Sequence, residues 1–394
     1  MWGRMASCAA VANRRCYYVA LAIYALLGAA NLPAQDSAIP PGSVNINLPG
    51  NSPLTLISST TGDSRATARG AALSLDLHMA LTLRNSSQGR IHGVTLRVVA
   101  QEVTLGGKGS VTYPSLNVGP GEAFPVRIDM QLMRPSQVAG GPLVSVDLDG
   151  VLFQDLSFFG PDRLNSRRMM TACEMEAQRD REHFKRVLLQ AGRNGLQQEM
   201  LESMARQSEV AQLAVTVKRT GRAVTTAAAA PDQTAQFAFL KFPDSPVEPL
   251  NGSAVLSGNE ARAPRIEVRN RSEKPVKYVE MGWIVSDQAG KQYMAGSLPS
   301  ADSDLILPPG KTARLLQETT LNFSSRNLPV HVRKMMGFVS QVEFADGKVW
   351  VPNRQNLENA ILLKVLPPSA EEQRLTDIYR KRGLDGLVQE LSKF

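Results

Sequence analysis

Four histidines, His78, His92, His183 and His331, and three cysteines, Cys8, Cys16 and Cys173, are the side chains best suited to metal ligation or nucleophilic chemistry. A zinc site needs such residues clustered at short spacings. Here the histidines lie far apart, with no H-x-x-x-H pair. His78 falls on the polar side of an alternating segment and His183 sits among charges, so solvated surface imidazoles are expected. Asp147, Asp149 and Gly150 miss the D-x-D-x-D-G spacing of a calcium loop. Because Asp-Gly tolerates positive backbone dihedrals, they read as a tight turn between strands. Gly107-Lys108-Gly109-Ser110 matches only part of a phosphate loop and stands in a strand-rich context, which predicts a hairpin turn. G-x-S-x-G, the full phosphate loop and G-x-G-x-x-G after a strand are missing from the sequence. No catalytic, metal-binding or cofactor-binding residue is assigned, and no cofactor is expected.

Four N-x-S triplets, at Asn85, Asn251, Asn270 and Asn322, would be glycan acceptors in a glycosylating host. The simpler reading is an asparagine that ends a strand and bonds its own backbone in a turn. Trp283, on an alternating strand, and Trp350, after Asp346-Gly347, are expected in the core rather than stacked on sugars.

The N-terminus has the layout of a secretory signal peptide over 1–34. Arg4, Arg14 and Arg15 precede an apolar stretch of 14 residues, Tyr17 to Ala30, and small residues follow to Ala34, all before the first acid, Asp36. Spanning a bilayer takes about 20 residues, so a cleaved signal is expected rather than an anchor. Cleavage after Ala30 or Ala34 removes three arginines, taking the net charge from +8 to +5, and leaves Cys173 as a lone buried thiol. The destination is the periplasm or the medium.

The elements that would position any site are arranged twice. Leu83-Arg84-Asn85-Ser86-Ser87 is matched 185 residues later by Val268-Arg269-Asn270-Arg271-Ser272. Val118-Gly119-Pro120-Gly121-Glu122 lines up with Leu307-Pro308-Pro309-Gly310-Lys311, and Asp149-Gly150 with Asp346-Gly347. Ala177-Gln178-Arg179 lines up with Glu372-Gln373-Arg374, and Gly195 to Met200 with Gly386 to Leu391. Landmarks in one order imply two copies of one unit.

Each copy opens with strands. Leu73 to Leu83 alternate without a break, and Val94-Val98, Val126-Leu132 and Val144-Leu148 follow. Ile266-Val268, Val279-Val285 and Phe338-Phe344 answer in the second copy. Short alternating runs between Gly, Pro, Asn and Ser turns read as antiparallel β-sandwiches. Helical spacing then begins at Met170, breaks at Gly192 to Gly195 and resumes at Leu196. Leu375, Ile378 and Tyr379, a break from Gly383 to Gly386, and Leu387 to Leu391 repeat it. The fold class is therefore mainly β, with two sandwich domains, each followed by a short two-helix tail. The first sandwich occupies 37–160 and its tail 161–219. A linker at 220–236 leads to the second sandwich at 237–366 and its tail at 367–394.

A strand ending in Asn-Ser-Ser, an apolar strand, a Gly turn and an apolar-Pro-Gly turn feeding the next strand resemble the immunoglobulin-like modules of secreted bacterial proteins, of the FxLYD type. The similar residues are Leu83 to Ser87, Ile91 to Glu102, Gly107 and Val118 to Ile128, then Val268 to Ser272, Val276 to Asp287, Gly290 and Leu307 to Leu315. The resemblance implies a noncatalytic module outside the cytoplasm.

Charge is the remaining lead. Residues 161–222 hold 12 Lys plus Arg against 8 Asp plus Glu, which suits peripheral contact with an anionic membrane through the first tail. The mixed signs also suit a solvated helix face. Nucleic acid is disfavoured by export and by the lack of aromatic stacking platforms. The function expected is a nonenzymatic binding or scaffolding module of the cell envelope, with an envelope protein or glycan as partner. The alternatives are a periplasmic hydrolase with a dispersed site and a periplasmic chaperone-like protein. Neither partner identity nor oligomeric state follows from the sequence.

Overall fold

A computed structural model describes residues 36–137, 140–210, 213–219, 233–299, 306–316 and 319–394. The expected signal peptide and residues 220–232 of the expected linker lie outside them. The chain is mainly β, with 46% of residues in strands and 23% in helices. It divides into two compact units that part between Glu174 and Met175. That boundary falls inside the helix Ser166–Glu209, not at its start.

In the first unit, Ala72–Asn85 is the central strand of one sheet. It pairs antiparallel with Ala123–Pro135 on one side and with Leu54–Thr60 and Arg65–Arg69 on the other. The second sheet is built on Ile91–Val99, between Lys108–Tyr113 and Val144–Phe153. The period-2 alternation sends Leu75, Leu77, Met79, Leu81 and Leu83 into the same apolar core as Val94, Leu96, Val98, Val144 and Val146. The outer face of Ile91–Val99 is buried too. Gly93 is needed there, because a Cβ would sit 2.7 Å from the Met170 sulfur.

Asp149-Gly150 is not a turn. Both residues lie inside the strand Val144–Phe153, and Asp149 is 1% exposed. Its carboxylate accepts from the Arg163 and Leu164 amides at 2.9 and 3.3 Å and from the Ser166 hydroxyl at 2.7 Å. It thereby satisfies donors of the loop leading into Ser166–Glu209, whose own Arg167 amide donates to Asp162 at 2.9 Å. The turn that matches Asp346-Gly347 is centred on Asp155: Ser157 N–H donates to Asp155 as Lys348 N–H does to Asp346.

The second unit follows the same plan. Glu260–Asn270 pairs with Val247–Ser257 on one side and with Thr312–Leu316 and Thr319–Ser325 on the other. Val276–Asp287 lies between Gln292–Pro299 and Val332–Phe344. Two boundaries differ from expectation. The helix stops at Glu209 and Ala214–Arg219 pairs with Thr319–Ser325, while Gln233–Gln236 pairs with Val247–Ser257 rather than serving as linker. Both segments are short and polar-rich, so sheet pairing, not local apolar pattern, decides their state. The strand Val332–Phe344 also departs from simple alternation. Met335, Val339 and Val342 face one cluster, whereas Phe338 joins Phe242, Ile284, Leu362 and Val365 in another.

The closest matches between the units are hydrogen bonds. Asn85 and Asn270 are both fully buried. The Asn85 Nδ2 donates to the Gly89 and Val118 carbonyls at 2.8 and 3.1 Å, and its Oδ1 accepts from the Ser87 amide and hydroxyl at 3.0 and 2.7 Å. Asn270 donates to the Lys274 and Leu307 carbonyls at 2.8 and 2.9 Å and accepts from the Ser272 amide and hydroxyl at 2.9 and 2.7 Å. Backbone bonds match as well. Ile91 and Val118 exchange amide-carbonyl bonds as Val276 and Leu307 do, and Ser86 donates to Pro53 as Arg271 does to Pro246.

Replacing either asparagine by alanine removes four hydrogen bonds around a fully buried side chain. Asn85→Ala and Asn270→Ala are each expected to cost about 3 kcal/mol, against about 1 kcal/mol for Ser87→Ala or Ser272→Ala. Denaturant midpoints of the four variants check this order.

Candidate functional site

A cluster of charged side chains lies in the second unit, where two kinked helices meet. Ser166–Glu209 turns at Gly192 (φ 66°, ψ −164°) and Ala370–Leu391 turns at Gly383 (φ 69°, ψ −169°). Positive φ explains glycine at both turns. The two turns stand 191 residues apart, and the same spacing relates their apolar residues. Phe184, Leu196 and Met200 of the first hairpin pack with Leu375, Leu387 and Leu391 of the second. The expected two-helix tails are thus one module, each the core partner of the other.

Ion pairs ring this core. Glu199 meets His183 Nε2 at 3.3 Å, Arg206 at 3.5 Å and Arg354 at 3.6 Å. Arg206 also reaches Glu372 at 3.2 Å, and Asp180 lies between Arg179 at 3.0 Å and Arg354 at 3.9 Å. On the other side Arg374 makes a two-pronged bond to Glu371, both at 2.8 Å, and a third to Glu390 at 2.5 Å. Arg181 lies 3.4 Å from Glu371, with its guanidinium 4.1 Å from the centre of the Phe394 ring. The 191-residue spacing pairs His183–Glu199 with Arg374–Glu390, so one helix-to-helix contact is held by imidazole in the first hairpin and by guanidinium in the second. It also shows that Ala177-Gln178-Arg179 and Glu372-Gln373-Arg374 are not equivalent positions.

These surroundings set the charges. The His183 hydrogen bond acts first on Glu199. Burial opposes it, but with the charges of His183, Arg206 and Arg354 the carboxyl is held at about 2. Burial would lower Arg374, but hydrogen bonds and charge from Glu371 and Glu390 outweigh it and raise it above its ordinary value. Glu176 goes the other way. Burial, aided by Asp180 and Glu280 and opposed by Arg179, lifts it to about 7, so it can take up or release a proton near neutrality. Neither the Glu199 cluster nor Glu176 was nominated from the sequence; a mixed run of Glu and Arg gave no sign of which charges face inward.

The other sequence candidates are dispersed. His78 is 40% exposed beside Asp129 and Asp76, and His331 is exposed. His183 and His92 are not solvated as expected. The former is 14% exposed against Glu199 of its own hairpin, and the latter is buried 2.9 Å from Glu174. Gly107 closes the hairpin between Ile91–Val99 and Lys108–Tyr113, where its amide donates to Thr104. Trp283 is 2% exposed and its ring meets that of Phe237 at 4.8 Å, whereas Trp350 is half-buried. Asn251 bonds Glu267 on a strand, and Asn322 lies within one. Cys173 is buried as expected. Among the described residues no three His, Cys, Asp or Glu side chains group as a metal site, and no helix is long and apolar enough to cross a membrane.

No protein-family model and no curated protein matches the chain. A solved beta-glucosidase from Kluyveromyces marxianus is similar over 68% of this chain and 45% of its own, at 8% identity and a TM-score of 0.15. Likeness at that level carries no argument about fold or activity.

Two carboxyls therefore make opposite contributions to stability against pH. The folded value of Glu199 is depressed, so its contribution is present above about 4.5 and lost as pH falls towards about 2. Glu199→Gln is expected to destabilise by about 2 kcal/mol at pH 7, because it removes the anion shared by His183, Arg206 and Arg354, and to lose that difference in acid. The folded value of Glu176 is raised, so stability falls as pH climbs from about 4.5 through about 7. Glu176→Gln is expected to gain stability relative to the parent over that window. Denaturant titrations at a series of pH values check both signs.

Proposed function

We propose that this chain is an exported, nonenzymatic binding or scaffolding protein of the cell envelope, built from two immunoglobulin-like sandwiches. The observation that carries the reading is the sheet edge Leu54–Thr60. It pairs on one side with Ala72–Asn85, and its other side pairs with no strand among the described residues. Thr55 to Thr60 are all exposed, and Leu56 and Ile57 are 39% and 46% exposed. The segment Leu-Thr-Leu-Ile-Ser-Ser-Thr has no charge and no proline. Edge strands are ordinarily blunted by lysine, proline or a covering element, because open N–H and C=O groups template pairing with another chain. An edge without charge or proline, interrupted by one register shift between Leu56 and Ser58, suits addition of an extended strand from a partner, with main-chain bonds giving affinity and side chains giving selectivity.

Export rests on the basic start, the short apolar stretch and the small-residue exit of residues 1–34. The repeated Asn-x-Ser turns and the strand pairings support the immunoglobulin-like assignment. The partner is an extended segment of another envelope protein.

The test is crosslinking of the tagged chain in its native envelope, with mass spectrometry of captured proteins beside a tag-only control. The parent is expected to capture one partner reproducibly, with crosslinks at 54–60. Leu56→Lys with Ile57→Lys is expected to lose it while keeping the circular dichroism of the parent. Capture unchanged by the lysines would overturn the edge as the binding surface, and many unrelated clients would favour the chaperone-like alternative.

A further inference from the structure

We propose that the joined tips of the two helical hairpins dock on anionic phospholipid bilayers. The tip around Gly192 carries Lys185, Arg186 and Arg193, and the tip around Gly383 carries Arg380, Lys381 and Arg382. An ion pair between Arg193 and Asp385 links the two tips. Arg186, Arg193, Arg380, Lys381 and Arg382 are all exposed. The acids nearby are Glu182, Asp377 and Asp385. Asp377 is engaged by Arg380 at 3.2 Å and Asp385 by Arg193, so the apex keeps an excess of positive charge. This differs from the interior of the module, where carboxylates match the arginines.

Leu189 decides what kind of anion fits. It is 85% exposed, one helical turn before Gly192 and among these cations. The second hairpin has Arg380 at the matching position, so the shared fold does not require an apolar residue there. A water-soluble polyanion gains nothing from an exposed leucine, whereas a bilayer surface accepts an apolar side chain below the headgroups while cations remain at their level. Helices of this length and polarity would meet the surface through their tips and not cross it.

The test uses the full chain with Leu189→Trp as a local reporter, read as quenching by brominated lipid after subtraction of the parent's own tryptophan signal. A local reporter is needed because the apolar stretch from Tyr17 to Ala30 can itself hold the chain on vesicles. Vesicles containing phosphatidylglycerol are expected to quench the reporter, and phosphatidylcholine vesicles to leave it unquenched. Adding R380Q, K381Q and R382Q is expected to raise the lipid concentration for half-quenching roughly 100-fold, and Lys381→Gln alone roughly fivefold. The single variant guards against loss of fold, since Lys381 is exposed. Equal quenching on both lipids, no shift in either charge variant, or a reporter that stays unquenched while the chain binds polyphosphate would each overturn the proposal.

Discussion

The constraint on which both units depend is the burial of a strand end. Where Ala72–Asn85 and Glu260–Asn270 finish, each strand closes on a fully buried asparagine before the chain turns at the surface. A buried polar group must be bonded or it costs stability. Asn85 and Asn270 meet that need with one amide each, donating to two carbonyls and accepting from the amide and hydroxyl of the serine two residues on. Asparagine is the side chain that can do both at this length; aspartate lacks the donors and serine the reach. With the strand end fixed, the next strand enters in register and the facing sheets can share a core.

The helical module adds a second layer of correspondence. Its turns repeat at Gly192 and Gly383, and its apolar residues repeat with the same spacing. Departures from the correspondence are informative because the shared fold does not demand them. His183 stands where Arg374 would, and the tip leucine Leu189 where Arg380 would. The ion pairs inside the module are not simple reinforcement, since burying charges costs what their attraction returns. They fix which face of each hairpin meets the other, a task an apolar stripe alone does loosely.

Much of this was legible in the sequence. The alternation from Leu73 to Leu83 specifies a half-buried strand, and Asn-x-Ser at both strand ends marks the turns. The helical spacing before and after Gly192 and Gly383 marks the hairpins. What was not legible depends on tertiary partners. Asp149-Gly150 has the composition of a turn, yet it continues a strand because its carboxylate is claimed by amides 14 and 15 residues away. His183 looks solvated among charged neighbours, yet the turn at Gly192 brings Glu199 against its ring. Ala214–Arg219 and Gln233–Gln236 become strands only because a sheet edge is there to receive them. The edge Leu54–Thr60 carried no motif, and its interest lies in what does not cover it among the described residues.

The central claim is that both units rest on the same buried asparagine turn. Hydrogen exchange of the full chain, resolved to single amides, tests it most directly. The Ser87, Ile91 and Val118 amides are bonded at the first turn and the Ser272, Val276 and Leu307 amides at the second. The account predicts slow, matched exchange in both sets, among the last amides of their units to open. Rapid exchange in either set, with the surrounding strands still protected, would contradict it.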